Sequence, residues 1–291
     1  MRGGGASTGG ANADGTSADG VSGDRASTDK ASGALRGQME RGSARIYLGF
    51  DANEYPGDAA WSELRRTFVF CGYWLNAPPG TTTNSWAGKR GLLLQSGFGF
   101  LVLFDGRLAR ELGPPVNPAD FGAADAEAAA EAAQREGFPT GTVIYLDIEE
   151  GGRMLPQQAE YIATWSRGVE ARGFAAGVYC SAMKVKDGRG KTITSADDIQ
   201  ERMPVRAYFV YNDECPPAPG CAYLKNPPAP AESGFSAARV WQFAQSPRRR
   251  NYTRRCRATY NADGNCYAPG VAGVSLDLDS SVMEDPSAAG R

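Results

Sequence analysis

Asp147 and Glu149 close the run Thr-Val-Ile-Tyr-Leu-Asp-Ile-Glu-Glu over 142–150, an apolar stretch that turns acidic at its C-terminal end. Side chains alternate faces along a strand, so residues two apart share a face at roughly 6–7 Å along the backbone. Asp147 and Glu149 are therefore expected on one face, with Ile148 packed behind them. Two carboxyls held together at the end of a hydrophobic strand repel each other, and burial raises the pKa of at least one. A protonated acid beside an ionised neighbour is the pair that glycosidic bond cleavage uses. Taken alone, a D-x-E is more often a solvated strand end with a loop-capping acid, so the rest of the chain has to decide.

The 291 residues contain no histidine. That excludes Ser-His and Cys-His nucleophile pairs within the chain and removes the commonest metal ligand. Acid–base work near neutral pH falls to carboxylates, Lys, Tyr or Cys; no cofactor and no metal is expected. The six cysteines include two close pairs, Cys215 with Cys221 and Cys256 with Cys266, whose spacing differs from zinc-type C-x-x-C. Two local disulfides stapling loops are the expectation, with Cys71 and Cys180 as buried thiols. Disulfides point to an oxidising compartment, extracellular or cell envelope, although the N-terminus lacks the apolar core of a signal peptide, which leaves a cytoplasmic location open. No apolar run is long enough to span a membrane. Net charge is −2, and the arginines at 248–250, 254, 255 and 257 read as solvated surface, so no nucleic-acid partner is expected.

Residues 1–43 are Gly, Ala, Ser, Thr and Asp with almost no large apolar side chain, which predicts a disordered low-complexity tail. A single domain over 44–286 remains, of normal size for a barrel, and a monomer is expected. Strands are predicted at 46–51, 68–74, 98–104, 142–149, 175–180, 206–211, 239–244 and 274–279. Helices are predicted at 123–136 and 156–172, with weaker ones at 59–66, 85–96 and 195–203. Alternation of strand and helix with near-continuous apolar strands argues for a parallel sheet, and eight strands argue for closure. The fold class is therefore α/β, a TIM-like barrel of eight strands and about five helices with a helix-poor C-terminal third: 212–237 and 245–272 are rich in Pro, Gly, Asn and Cys. Long loops of that kind are functional or cross-linked more often than plain connections.

In a parallel barrel the reacting groups gather at the C-terminal strand ends. Strand one ends at Asp51, strand four at Asp147 and Glu149, and strand eight at Asp277 and Asp279, so all could line one cup. Aromatic residues gather at the same ends: Trp74, Tyr179, Tyr211 and Trp241 are candidate sugar-stacking platforms, while Tyr145 reads as barrel core.

G-F-D in the first strand, Y-L-D-I-E in the fourth, G-V-Y-C in the fifth, W-Q-F in the seventh and L-D-L-D in the eighth together resemble the bacterial glycoside-hydrolase-like domains of unknown function, relatives of the family 25 lysozymes. The resemblance spans roughly 45–285 and implies a barrel of eight strands and five helices. By that resemblance Glu149 matches the general acid, and Asp147 the group that supports the substrate's N-acetyl arm or the developing positive charge. Asp51 and Asp277 complete the acid set, and Trp241 matches an aromatic lining the sugar groove. Two positions depart from the lysozymes: Asp51-Ala52-Asn53 replaces Asp-x-Ser, and Asp279 stands where they more often have Asn. The expected substrate is a cell-wall polysaccharide of peptidoglycan or N-acetylated type. The alternatives are a glycan-binding or scaffolding module without turnover, or an acid cluster holding a divalent cation.

Overall fold

Every apolar run predicted as a strand forms one, and the alternation within each sends one set of side chains inward. In the computed structural model, which describes residues 45–188 and 190–289, the chain runs β1 (Tyr47–Asp51), α1 (Trp61–Leu64), β2 (Phe70–Trp74), α2 (Arg90–Gln95), β3 (Gly99–Asp105), α3 (Pro118–Arg135), β4 (Val143–Ile148), α4 (Pro156–Ala171) and β5 (Ala175–Ser181). It continues through a small hairpin, β6 (Val185–Lys186) and β7 (Thr192–Ile193), then α5 (Ser195–Arg202), β8 (Ala207–Tyr211), β9 (Val240–Ala244) and β10 (Asp277–Ser281). The tail expected over 1–43 lies outside the described residues. Eight strands close a barrel in the order β1-β10-β9-β8-β5-β4-β3-β2. With five α-helices among the described residues, this is the TIM-like α/β barrel that the strand and helix count predicts.

One strand departs from the parallel expectation. β10 is antiparallel to both β1 and β9. The 245–276 connection, whose regular structure is a 3-10 turn at Arg257–Thr259, returns to the mouth of the barrel, and the chain re-enters from there. Asp277 and Asp279 consequently lie at the start of the last strand instead of its end, and Asp277 still reaches the mouth, paired in register with Asp51.

Local chemistry sets the helices. Pro118 and Pro156 occupy the first helical turns of α3 and α4, where a missing N–H costs nothing, and the Asn117 side chain accepts from Ala119 N at 3.2 Å. The buried face of α3 is nearly all alanine (126, 129, 130, 132 and 133), which lets α4 approach closely. At Gly122 a Cβ would lie 2.7 Å from the Tyr161 carbonyl oxygen, so only glycine permits that crossing.

The bottom of the barrel is closed by the C-terminal segment. Ser287 sits between β3 and β4: its N–H donates to Phe100 O (2.9 Å), its Oγ accepts from Val102 N (2.8 Å) and its carbonyl accepts from Val143 N (2.8 Å). Tyr145, core as expected, donates from its hydroxyl to Pro286 O (3.1 Å).

The helix-poor third is cross-linked, with a pairing other than the local one. Cys215 bonds Cys256 and Cys221 bonds Cys266. Each bridge ties the loop after β8 to the loop after β9, because the two loops lie side by side at the barrel mouth, with Cys215 N also donating to Tyr252 O (3.1 Å). Cys71 and Cys180 are buried free thiols.

Candidate active site

The four acids named as catalytic candidates converge. Asp51, Asp147, Glu149 and Asp277 line one pit of about 80 Å³ at the barrel mouth, with Trp74, Tyr179 and Phe209 among its walls. Strand parity explains the gathering: Gly72 and Trp74 on β2, Leu103 and Asp105 on β3, Tyr145 and Asp147 on β4, Tyr179 on β5 and Phe209 and Tyr211 on β8 all take the inward face. The pit adjoins a larger groove of about 310 Å³ that shares Asn53 and Asp277 with it and continues along Tyr55 and Ser275.

The acids differ in setting. Glu149 stands one residue beyond β4, solvent-exposed at the pit mouth, while Asp147 is buried. Partial desolvation raises the Glu149 pKa, and the nearby Arg249 charge pulls it back. Burial pushes Asp147 well above the usual carboxylate range, helped by Glu149, Asp105 and Asp51, and one of its oxygens has no hydrogen-bond partner. Asp277 is also pushed well up, first by burial and then by Asp51, although Ser246 N donates to it at 2.5 Å. Asp51 is raised to about 6: burial raises it, and a hydrogen bond from Gln242 opposes the rise. So many carboxyls in one pit cannot all ionise, and Asp51, with a side-chain donor, is the best placed to carry the charge.

That donor is held by a relay. Gln242 Nε2 donates to Asp51 Oδ2 (2.7 Å), while Gln242 Oε1 accepts from the Tyr179 hydroxyl (2.8 Å) and from Gln245 Nε2 (2.8 Å). Two donors on Oε1 fix the amide so that its nitrogen faces the acid. Gln242 lies inside the W-Q-F motif beside Trp241, and strand parity is the signal that distinguishes the two.

Trp241 is the correction. It is fully buried on the outward face of β9, its indole donating to Asn212 O (2.8 Å) and packing 6.0 Å from Phe243, so it lines neither the pit nor the adjoining groove. Tyr211 lies beside the pit, its hydroxyl on Glu149 O (2.6 Å) and its ring 5.5 Å from Tyr179. Asp279, expected to bind substrate, is fully buried one pleat below Asp277 and outside the pit lining. Asp105, at the end of β3 and one residue past the predicted strand, was missed; it is paired in register with Asp147, and burial, then Glu149, raises it to about 6.

The arginine run is also not wholly solvated. Arg249 turns inward, forks onto the buried Asp213 through Nε (3.1 Å to Oδ2) and Nη2, and lies over the Tyr211 ring at 5.0 Å. Among the described residues no group of three or more His, Cys, Asp or Glu is arranged to hold a metal ion.

Two measurements follow from this packing. At Gly72 a Cβ would lie 2.6 Å from Asp51 Cβ, so Gly72→Ala must shift β1; we expect a loss of about 1–3 kcal/mol in unfolding free energy and displacement of Asp51. Unchanged denaturant unfolding would show that β1 adapts. Because the folded-state pKa of Asp51 is raised, the native protein binds the extra proton between pH 4 and 6, so stability falls as pH rises through that window and is flat above it. Thermal unfolding of Asp51→Asn against wild type should show the variant gaining from pH 4 to 6; a constant difference contradicts the burial effect.

The barrel is closed, and acids gather at its mouth. Residues 82–216 match the family described as Rv2525c-like, glycoside hydrolase-like domain, a stretch that holds Asp105, Asp147 and Glu149 but not β1, β9 or β10. The resemblance drawn from the sequence motifs is borne out over that stretch. No curated protein matches the chain. Among solved structures, an uncharacterised protein of B. stearothermophilus shares 18% identity over 82% of this chain and 98% of its own, with a TM-score of 0.50. The Tat-secreted protein Rv2525c of Mycobacterium tuberculosis, in complex with L-tartrate, shares 16% identity over 81% and 95%, with a TM-score of 0.49. The catalytic domain of endolysin ply40 from bacteriophage P40 of Listeria monocytogenes shares 13% over 82% and 95%, with a TM-score of 0.47. At these identities the likeness is one of fold.

Proposed function

We propose that this barrel hydrolyses glycosidic bonds in an N-acetylated cell-wall polysaccharide of peptidoglycan type, with Glu149 as the general acid. The carrying observation is one exposed, partly desolvated acid over a pit of buried carboxyls in which Asp51 alone is held by a side-chain amide. Partial desolvation favours the protonated form of Glu149, from which it can deliver a proton to the leaving oxygen. Asp51, ionised, faces the positive charge that develops as the bond breaks. Asp147 and Asp277, neutral in the same pit, offer hydrogen bonds to polar arms of the sugar, an N-acetyl carbonyl among them. Trp74 and Tyr179 wall the ring, Tyr211 braces the Glu149 backbone, and the adjoining groove takes the continuing chain.

The test is release of reducing ends from purified cell wall and from chitooligosaccharides. No product from any N-acetylated glycan overturns hydrolysis. A second reading, binding without turnover, is favoured by the small volume of the acid pit beside a groove of about 310 Å³, which could hold a glycan strand without exposing a bond to Glu149. Retention on muropeptide or cell-wall columns with no product separates the two. The two disulfides, paired across loops, support work in an oxidising setting, the cell envelope or outside it.

A further inference from the structure

Asp279 enters the barrel on the antiparallel strand, in register with Gly49 on β1 and Gln242 on β9, which makes Asp51 its diagonal neighbour. Its side chain is fully buried, and neither carboxylate oxygen meets a hydrogen-bond donor. Yet strand register and a shared inward face set the Asp279 carboxyl beside that of Asp51. Two bare carboxylates are both acceptors, so such a contact is a bond only when one of them carries a proton. The facing groups offer no other remedy. On β1 there is Asp51, on β10 itself Asp277, and on β9 Gln242, whose nitrogen is already spent on Asp51. No Lys or Arg among the described residues is ion-paired or hydrogen-bonded to Asp51, Asp277 or Asp279.

We propose that Asp279 holds the proton of this pair and donates it to Asp51, acting as a positioning residue that keeps the Asp51 carboxylate ionised and fixed in the pit. The asymmetry of donors decides which acid is neutral. Asp51 accepts from Gln242 and so gains from ionising, whereas Asp279 has no donor to support a charge. Burial, and then Asp51, push Asp279 well above the usual carboxylate range, in agreement with that assignment. Asp51 thus rests between two donors, the Gln242 amide from one strand and the Asp279 acid from another, and Asp279 itself is not part of the pit lining. The value of this arrangement to catalysis rests on the proposed hydrolysis; the location of the proton does not.

The experiment is carboxyl titration of the full chain, by carbon-13 NMR of labelled aspartate or by infrared difference spectroscopy. At pH 7 the wild type should show a protonated, buried carboxyl whose signal is lost in Asp279→Asn and kept in Asp147→Asn. The Asp51 midpoint should rise by about one pH unit in Asp279→Ala, which removes a donor, and return towards wild type in Asp279→Asn, which restores one. If Asp279→Ala does not fold, Asp51→Asn serves: with the like charge gone and an amide facing it, Asp279 should titrate at lower pH than in the wild type. A wild type with Asp279 ionised at pH 7, or an Asp51 midpoint equal in all three proteins, overturns the inference. An inert protein that retains the proton on Asp279 would sink only hydrolysis.

Discussion

Glu149→Gln should lower cleavage of N-acetylated cell-wall glycan by about 10²–10⁴-fold, the usual loss when a general acid is removed, while leaving thermal unfolding unchanged. The second half of that expectation comes from the structure. Glu149 is solvent-exposed beyond the end of β4, and its anchoring contact is its carbonyl, which accepts the Tyr211 hydroxyl and survives the substitution. Glutamine keeps the shape and cannot give up a proton. Because the acid must be protonated, wild-type turnover should fall as pH rises through the elevated Glu149 midpoint, and this limb should vanish in the variant. Initial rates of reducing-end release from pH 4 to 8 measure both. A variant as active as the wild type assigns the proton to another group, Asp105 being the next carboxyl at the same mouth.

Reduction of the two disulfides should lower stability strongly. The bridges separate their cysteines by 41 and 45 residues, and chain-entropy arguments give about 4 kcal/mol for closing a loop of that size. The loops overlap between 221 and 256, so the second bridge adds less than the first. For a domain of this size the pair should be worth about 10 °C or more in the unfolding midpoint. The segments they tie hold only 3-10 turns among their regular elements, at Pro230–Ser233 and Arg257–Thr259, so little else replaces them. The same segments bring Ser246 to Asp277 and Arg249 to Asp213, so the pit rim should loosen before the barrel opens. Calorimetry with and without reductant, and of Cys215→Ser with Cys256→Ser, checks this; an unshifted midpoint would mean that the loops hold by packing alone.

Much of the barrel was legible because periodicity is local. The eight strands and five helices fall close to where apolar runs, Pro156 and Gly173 place them. The reversal of β10 was not legible: the connections 212–239 and 245–276 both lack an α-helix, yet β9 runs parallel to β8 while β10 runs antiparallel to β9, and an irregular loop does not announce which end it reaches. The cysteine pairing failed for a related reason: closeness in sequence stood in for closeness in space, while two long loops lie side by side. Within the site, Asp51, Asp147, Glu149 and Asp277 could be gathered from strand-end acids. Trp241 and Gln242 differ by one step of the pleat, and a motif matched without its parity picked the residue facing away. Asp105 was lost to a boundary drawn one residue short.

The reversed last strand has a temporal meaning as well. β10 lies between β1 and β9, so the first and last strands of the barrel are hydrogen-bonded neighbours, far apart in the chain. Contacts at such separation close late in folding, because the loop entropy must be met before they reward it. Asp51 and Asp277 come together in that closing step. During synthesis Asp51 can therefore meet Asp277 only after nearly all of the barrel's chain has been made.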